Sequence, residues 1–246
     1  MTLRSLRVAT QFLTRVPVPA VNRPAPDDLA SAASYMPLVG LLIGSLICGV
    51  MLAGERWFPP LTGVLAVLVW VGITGALHLD GLADIADATG AAHRDPQRLL
   101  AVLADPHIGT FGVVSVVLVL LLKTAALGHT ASAAAAGLVL IPAWARLGTL
   151  AWSRWLAPIK PGQGAAFGSA VRPGWIASWM VVLLAASACV APVLGFAPLI
   201  ILGWGAWLRA RVGGVNGDGL GAGIEVTETM LALGLCAMGR TGSLLG

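Results

Sequence analysis

The chain has 246 residues, of which 57% are hydrophobic and only 11% are charged, and its formal net charge is +4. A soluble domain usually carries about 25% charged residues, so a chain this apolar cannot cover itself with polar surface, and its expected solvent is lipid. The small positive charge is not that of a nucleic-acid-binding protein, and no nucleic-acid partner is expected.

Residues 1–36 are predicted to form an amphipathic segment that lies at the membrane surface. Arg4, Arg7 and Arg15 interrupt its apolar positions, and no cleavage site follows an apolar core. This pattern does not fit a secretory signal. Basic residues interleaved with apolar ones are typical of a helix in the plane of the interface.

Apolar stretches long enough to cross a bilayer, which takes about 20 residues, recur along the rest of the chain. The sequence predicts spanning helices at 37–54, 60–78, 110–128, 132–152, 175–194 and 197–210. A further apolar stretch, 227–239, either spans the membrane or re-enters it. The predicted fold is therefore all-α: a polytopic membrane-embedded bundle of six or seven transmembrane helices in a single domain over residues 1–246.

The distribution of the charged residues predicts the orientation of this bundle. When the N-terminus is placed in the cytoplasm, most Lys and Arg residues fall in cytoplasmic segments, as the positive-inside rule requires. Most acidic residues fall on the same side, in the segments 78–109 and 213–228. A channel needs polar groups through its depth, so we expect an enzyme that works at the cytoplasmic face of the membrane.

The acidic segment 78–109 begins with the motif HLDGLADIADATG at 78–90. Asp80, Asp84 and Asp87 lie at i, i+4 and i+7, so a helix places them on one face, where like charges repel. A divalent cation would relieve this repulsion, and hard oxygen ligands favour Mg²⁺ or Mn²⁺ over Zn²⁺. Since Mg²⁺ in proteins often binds substrate phosphates, the motif indicates phosphoryl transfer. A solvated acidic helix end is the structural alternative.

Two further stretches carry weaker signals. DPHIGTFG at 105–112 is typical of a turn, although its glycines would also let backbone N–H groups approach a phosphate. GGVNGDGLGAGIEVTE at 213–228 is predicted to be a glycine-rich acidic loop on the same side of the membrane. Such a loop offers backbone donors to phosphate and carboxylates to a metal, and it is a plausible second half of one site.

Five segments in order resemble the cobalamin synthase family, the adenosylcobinamide-GDP ribazoletransferases. They are QFLTRVPVP at 11–19, YMPLVGLLIG at 35–44, HLDGLADIADATG at 78–90, DPHIGTFG at 105–112 and GDGLGAGIEVTE at 217–228. In the last segment the chain departs from the family pattern, since Gly219 and Gly223 stand where larger residues are expected. This departure predicts a more flexible loop.

The resemblance implies a Mg²⁺-dependent integral membrane enzyme of the last assembly stage of cobalamin. Such an enzyme joins adenosylcobinamide-GDP to α-ribazole or α-ribazole 5′-phosphate and releases GMP. The expected partners are these substrates, the lipid bilayer, and either a second copy of the chain or other cobalamin-assembly enzymes.

The expected site combines the resemblance with the chemistry of the motifs. The metal ligands are expected to be Asp80, Asp84, Asp87 and Asp105. The catalytic residues are expected to be Asp80, Asp84, Asp87, Asp105 and Asp218, with Asp105 or Asp218 as general base. The substrate-binding residues are expected to be His78, Arg94, Arg98, His107, Gly109, Lys160, Asn216 and Glu225. Anchoring at the membrane surface explains Arg94, Arg98 and Lys160 equally well.

Two other classes share parts of this pattern. Lipid enzymes similar to CDP-alcohol phosphotransferases also carry spaced aspartates at a helix end, but DGLADIAD lacks their Ala-Arg pair and their longer final spacing. An ion-coupled transporter needs charges in the middle of its spans, and Lys123 is the only charge that the sequence places well inside one. We expect Lys123 either to reach the outer interface or to be paired within the bundle.

Overall fold

The computed structural model describes residues 3–22, 26–92, 95–159 and 171–242. Its α-helices are α1 (Leu3–Leu13), α2 (Pro26–Ala33), α3 (Met36–Trp57), α4 (Thr62–Thr74), α5 (Leu77–Ala91), α6 (Pro96–Val102), α7 (Thr110–Gly128), α8 (Ile141–Trp155), α9 (Pro173–Val190), α10 (Ala197–Arg211) and α11 (Gly217–Gly242). Short 3₁₀ helices precede α4, α8 and α10 at Pro59–Leu61, Ser132–Val139 and Pro192–Phe196. No β-strand occurs in the described ranges, so the all-α prediction is confirmed.

Six helices of the described chain are long and apolar enough to cross a membrane. They are Met36–Trp57, Thr110–Gly128, Ser132–Trp155, Pro173–Val190, Pro192–Arg211 and Gly217–Met238. The predicted apolar stretch 227–239 is thus part of a longer candidate span. These helices confirm a multi-pass membrane protein, with a seventh span if the bent pair of α4 and α5 crosses as one unit.

The predicted span 60–78 is not one continuous helix. It ends at Thr74, and α5 leaves it at a bend of 90°. Gly75 and Ala76 both adopt left-handed backbone conformations, with φ of 65° and 58°. Two consecutive left-handed residues cannot continue a right-handed helix. The aspartates therefore lie on a separate helix, α5, which is not among the six spans.

Helix α8 forms the centre of the bundle. Its large side chains Trp144 and Trp152 are fully buried, and α3 packs against it and the preceding 3₁₀ helix through glycines. A Cβ atom added at Gly40 would lie 2.6 Å from the Cα of Ala143, and one at Gly44 would lie 2.4 Å from the oxygen of Val139. Because no side chain fits there, the two backbones touch directly.

The segment 213–228, predicted as a loop, is helical from Gly217 onward. Asn216 begins this helix, since its Oδ1 accepts the N–H of Gly219 at 2.9 Å. Its glycines also make room for packing: a Cβ at Gly223 would lie 2.4 Å from Nε1 of Trp204 and 2.5 Å from the ring of Trp152. Gly223 thus accommodates two indole rings inside the bundle, and the prediction of a flexible loop there was wrong.

The non-helical part of this segment is held by backbone contacts. The N–H of Val215 donates to the oxygen of Ala157 at 2.9 Å, and the N–H of Ile159 donates to the oxygen of Val215 at 3.0 Å. A Cβ at Gly214 would lie 2.2 Å from the oxygen of Ala157. The end of α8 and the start of α11 are therefore fixed beside each other, which sets the position of Asp218.

The N-terminal segment contains two helices, α1 and α2, that pack against each other. Arg4 of α1 donates two hydrogen bonds of 3.0 Å to the carboxylate of Asp28 in α2. The backbone N–H of Arg15 donates to the oxygen of Ile73 at 2.6 Å. The end of α1 is thereby attached to the bend that precedes α5, and a location at the membrane surface stays a prediction.

Candidate functional site

Four carboxylates come together where α5 and α11 cross. Asp80, Asp84 and Asp87 lie on α5, and Asp218 lies in the first turn of α11. The helices approach closely because position 81 is glycine: a Cβ there would lie 2.8 Å from the backbone oxygen of Asp218. The prediction that the two acidic motifs meet is confirmed, and we call this group the carboxylate cluster.

The charges of the carboxylate cluster act on one another. Asp84 is half-buried, and its pKa is raised to about 6, first by desolvation and then by the charges of Asp218, Asp80 and Asp87. Within the described residues, no Lys or Arg forms a salt bridge with Asp80, Asp84 or Asp87. These three carboxylates of α5 thus concentrate negative charge that salt bridges within the described residues do not neutralise.

Asp87 has a different environment from its neighbours. Its Oδ2 accepts the N–H of Gly109 at 2.7 Å and its Oδ1 accepts the N–H of Gly112 at 2.9 Å. A Cβ at either glycine would lie within about 2.5 Å of this carboxylate, because Asp87 sits directly on the first turn of α7. The N–H of Gly109, assigned above to substrate phosphate, is therefore used by Asp87, which caps α7.

Asn216 orients Asp218. Its Nδ2 donates to Oδ2 of Asp218 at 2.7 Å while its Oδ1 caps α11. A carboxylate fixed in this way presents its remaining acceptor positions in a defined direction. Asn216, which was predicted to bind substrate, therefore contacts Asp218 of the carboxylate cluster.

Several other predicted residues lie elsewhere. Asp105 and His107 pair with each other in an exposed loop, 2.6 Å apart, and this hydrogen bond lowers the pKa of Asp105. Arg98 is exposed on α6. Arg94 and Lys160 lie outside the described residues. Asp105 is not among the carboxylates that raise the pKa of Asp84, and the structure does not bring it into the carboxylate cluster.

Glu225, predicted to bind substrate, is buried inside the bundle. Lys123 Nζ donates to Glu225 Oε2 at 2.6 Å and to Glu228 Oε2 at 2.7 Å. Arg146 Nη1 donates to the other oxygen of Glu228, and Lys123 lies 4.6 Å from the ring centroid of Trp70. We call Lys123, Arg146, Glu225 and Glu228 the buried ion cluster.

The buried ion cluster confirms one prediction and corrects another. Lys123 is paired within the bundle, which is one of the two arrangements predicted for it from the sequence. It is not the only charge inside a span, because Arg146, Glu225 and Glu228 are almost fully buried on α8 and α11. The sequence offered a signal for this: one basic and two acidic residues in helices that are otherwise apolar must find partners. His78 is buried next to this group.

The donor set of the carboxylate cluster suits a hard divalent cation without forming a complete site. No three His, Cys, Asp or Glu side chains of the described residues are already arranged around one metal position. Mg²⁺ commonly uses one or two carboxylates together with water and substrate phosphates. Asp84 and Asp80 supply the one or two carboxylates of such an open site, whereas both oxygens of Asp87 already accept backbone N–H groups.

Comparison with known proteins gives one consistent result. The model of the family described as cobalamin-5-phosphate synthase matches residues 5–236. A protein of Novosphingobium aromaticivorans is 50% identical over 241 residues, which cover 96% of this chain and 98% of the relative. Relatives from Laribacter hongkongensis and Thiobacillus denitrificans are 47% and 42% identical, covering 94% of this chain and 96% and 94% of their own lengths. All three are named adenosylcobinamide-GDP ribazoletransferase, and no solved structure matches the chain significantly.

Proposed function

The chain belongs to the cobalamin-5-phosphate synthase family, and we propose that it is an adenosylcobinamide-GDP ribazoletransferase whose chemistry takes place at the carboxylate cluster. The observation that carries the location is the meeting of two acidic motifs, on α5 and α11. No Lys or Arg of the described residues forms a salt bridge with Asp80, Asp84 or Asp87 there. The family match runs through both motifs, which favours this transferase over a CDP-alcohol-type lipid enzyme or a transporter.

The proposed reaction is a displacement at phosphorus. A ribose hydroxyl oxygen of α-ribazole, or of its 5′-phosphate, forms a bond to the phosphorus that carries cobinamide. The bond from that phosphorus to the bridging oxygen breaks, and GMP leaves with the electron pair. The hydroxyl proton passes to a carboxylate and then to solvent. The product is adenosylcobalamin or its 5′-phosphate.

The residues of the carboxylate cluster have different proposed roles in this reaction. Asp218, oriented by Asn216, is the proposed proton acceptor. Asp84 and Asp80 are the proposed ligands of Mg²⁺, which when bound neutralises charge on the diphosphate. Asp87 positions these groups, because it fixes α5 against the first turn of α7.

We propose that the carboxylate cluster faces the cytoplasm of a bacterial inner membrane. Arg154 lies in the last turn of α8, and Arg209 and Arg211 lie in the last turn of α10. The backbone contact between Val215 and Ala157 holds the end of α8 near the start of α11. These arginines therefore lie at the Asp218 end of the bundle, which the positive-inside rule assigns to the cytoplasm.

Reconstitution tests the reaction and the cofactor together. The purified full chain in detergent is incubated with adenosylcobinamide-GDP and α-ribazole or its 5′-phosphate, with Mg²⁺ or with EDTA. We expect equal amounts of GMP and of a complete corrinoid, only when Mg²⁺ is present. No product from a folded protein with either ribazole form would refute the transferase, and equal rates in EDTA would refute the metal requirement.

Labelling tests the orientation. Gln97, exposed on α6, is replaced by Cys in a variant whose three natural cysteines are changed to Ala. A membrane-impermeant maleimide should label this variant in inverted vesicles and not in intact spheroplasts. The reverse pattern would place the carboxylate cluster outside the cytoplasm.

A further inference from the structure

A cavity of about 300 Å³ lies beside the carboxylate cluster, between α1, α5 and α11. Most of its lining is apolar and comes from Ala9, Leu13, Met36, Leu77 and Ile224. Asp80 and Asp218 also line it, so one part of an apolar cavity carries two carboxylates. Its volume is at the lower end of the range for small-molecule sites, about 300–1,000 Å³. We call it the acid-edged cavity.

Close packing of α5 against α11 brings the two carboxylates into this lining. A Cβ at Gly81 would lie 2.8 Å from the backbone oxygen of Asp218, whereas one at Gly221 would make ordinary contact, 3.4 Å from the Cα of His78. With a larger residue at position 81 the helices would move apart, and Asp80 and Asp218 would separate. The contact between α5 and α11 therefore brings the apolar and the acidic residues into one cavity.

We infer that the acid-edged cavity binds the base and ribose of α-ribazole, an inference that rests on the proposed function. α-Ribazole has the same division as the cavity: a flat, uncharged, apolar benzimidazole attached to a sugar that carries hydroxyl donors. The apolar lining buries the base. The ribose hydroxyls donate to Asp80 and Asp218, and hydrogen bonds to charged acceptors are the stronger kind.

The other available ligands fit this cavity less well. A lipid acyl chain has no hydrogen-bond donor for the carboxylates of Asp80 and Asp218. The corrin ring with its side chains is too large for about 300 Å³. The guanine nucleotide is bulkier than α-ribazole because it carries a diphosphate. Its polar base edge would also lie against a mostly apolar lining, in which His78 and Thr149 are the polar side chains besides the two carboxylates.

This assignment also places the nucleophile. A ribazole held by its base in the apolar part directs its ribose toward Asp80 and Asp218, where the proposed proton acceptor lies. It gives α1 a role beyond the membrane surface, since Ala9 and Leu13 supply part of the lining. The hydrogen bond from the N–H of Arg15 to the oxygen of Ile73 fixes this wall against the bend before α5.

Ala9→Leu tests the assignment by filling the cavity. Ala9 lies in the wall of the cavity and is fully buried, so we expect the larger leucine side chain to take up cavity space. We expect the KM for α-ribazole to rise about tenfold, which is about 1.4 kcal/mol of binding free energy, because less room is left for the base, while the KM for adenosylcobinamide-GDP stays unchanged. The loss should be smaller for the riboside of unsubstituted benzimidazole, which lacks two methyl groups. Leu3→Ala, an exposed position on the same helix, is the matched control.

The outcomes separate this inference from the proposed function. If the wild type turns over and Ala9→Leu leaves the KM for α-ribazole unaltered, the cavity assignment is wrong and the transferase stands. If the wild type makes no product, the proposed function itself is refuted. Thermal shifts decide between a ribazole and a lipid as the occupant. If short-chain phosphatidylcholine raised the melting temperature of the wild type but not of Ala9→Leu, and α-ribazole raised neither, the cavity would be a lipid site and the assignment would be overturned.

A second variant guards against misfolding of the first. Leu13→Ala enlarges the cavity and removes no polar group. We expect it to accept a riboside whose base carries a larger fused ring, which the wild type rejects. Unchanged selection among bases by a folded Leu13→Ala protein would also overturn the assignment.

Discussion

Two groups of charges meet neighbouring parts of α11 and have opposite character. α11 contributes Asp218 to the carboxylate cluster and, two turns later, Glu225 to the buried ion cluster. In the buried group Lys123 and Arg146 balance Glu225 and Glu228. In the carboxylate cluster, Asp80, Asp84 and Asp87 have no salt bridge to a described Lys or Arg, and mutual repulsion contributes to the raised pKa of Asp84.

The difference separates a structural use of charge from a functional one. A buried charge costs several kcal/mol unless the protein supplies its partner, and in the buried ion cluster side chains from three helices do so. On α5, no salt bridge from a described Lys or Arg compensates the charges of Asp80, Asp84 and Asp87. Such an imbalance is stable only where solvent, protons or a bound cation can reach it, which is what an open active site provides.

Asp84→Asn gives the largest expected effect and tests the functional side of this comparison. The change keeps the shape of the side chain and removes one charge. We expect turnover to fall about a thousandfold, since cation-mediated charge stabilisation amounts to several kcal/mol, while the melting temperature stays equal or rises because repulsion is relieved. Glu55→Gln, near the far end of α3, is the control. Full activity of Asp84→Asn at limiting Mg²⁺ would contradict the metal assignment.

Lys123→Met tests the structural side. It leaves Glu225 and part of Glu228 buried without a cation, and breaking such a pair usually costs about 3–5 kcal/mol. We expect a large loss of stability in detergent unfolding, with activity lost in proportion to the folded fraction. Glu225→Gln added to this variant should restore part of the stability. Leu121→Met, exposed on the same helix, is the control, and normal stability of Lys123→Met would show that the ion pairs are dispensable.

The sequence was sufficient for most of the spans and for the meeting of the acidic motifs. The prediction 110–128 coincides with Thr110–Gly128 because a long apolar run has no other stable arrangement in lipid. The bend at Gly75 and Ala76 was missed, since hydropathy is unbroken there and an alanine gives no sign of a left-handed conformation. Glycines misled the prediction at 213–228, because a residue that suggests a loop equally permits the packing of Trp152 and Trp204 against a helix.

Asp87→Asn should combine the effects expected for the two groups, a loss of activity and a loss of stability. An amide in place of the carboxylate turns one acceptor of Gly109 or Gly112 into a donor, so one backbone N–H at the start of α7 loses its partner. An unsatisfied buried group of this kind costs about 1–3 kcal/mol. We therefore expect reduced stability together with reduced activity, in contrast to Asp84→Asn. A stability equal to that of the wild type in thermal unfolding would argue that the Asp87 contacts are not maintained in the membrane.

A pH series with Mg²⁺ predicts a smaller effect. The folded-state pKa of Asp84 is raised from its ordinary value of 3.8 to about 6. In the ion-free protein this group therefore contributes stability that is fully present below about pH 3.8 and is lost as the pH rises through 6. Mg²⁺ must displace the proton, so the rise in melting temperature that it causes should be largest above pH 7 and should vanish toward pH 5. A rise independent of pH would show that Asp84 does not bind the ion, and Asp84→Asn should abolish the pH dependence.

Asp105→Asn gives the smallest expected effect and tests how far the carboxylate cluster extends. Asp105 resembles the cluster residues in sequence, since it lies in a family motif, but its carboxylate is exposed and already bonded to His107. The mutation changes an exposed hydrogen bond and takes no charge from the neighbourhood of Asp84. We expect kcat/KM to change less than about threefold, as is usual for exposed pairs, with normal Mg²⁺ dependence. His107→Gln, which breaks the same pair and keeps the carboxylate, is the matched control. If Asp105→Asn were as inactive as Asp84→Asn while His107→Gln stayed active, the loop before α7 would have to carry Asp105 into the cluster during turnover, and the site would contain five carboxylates.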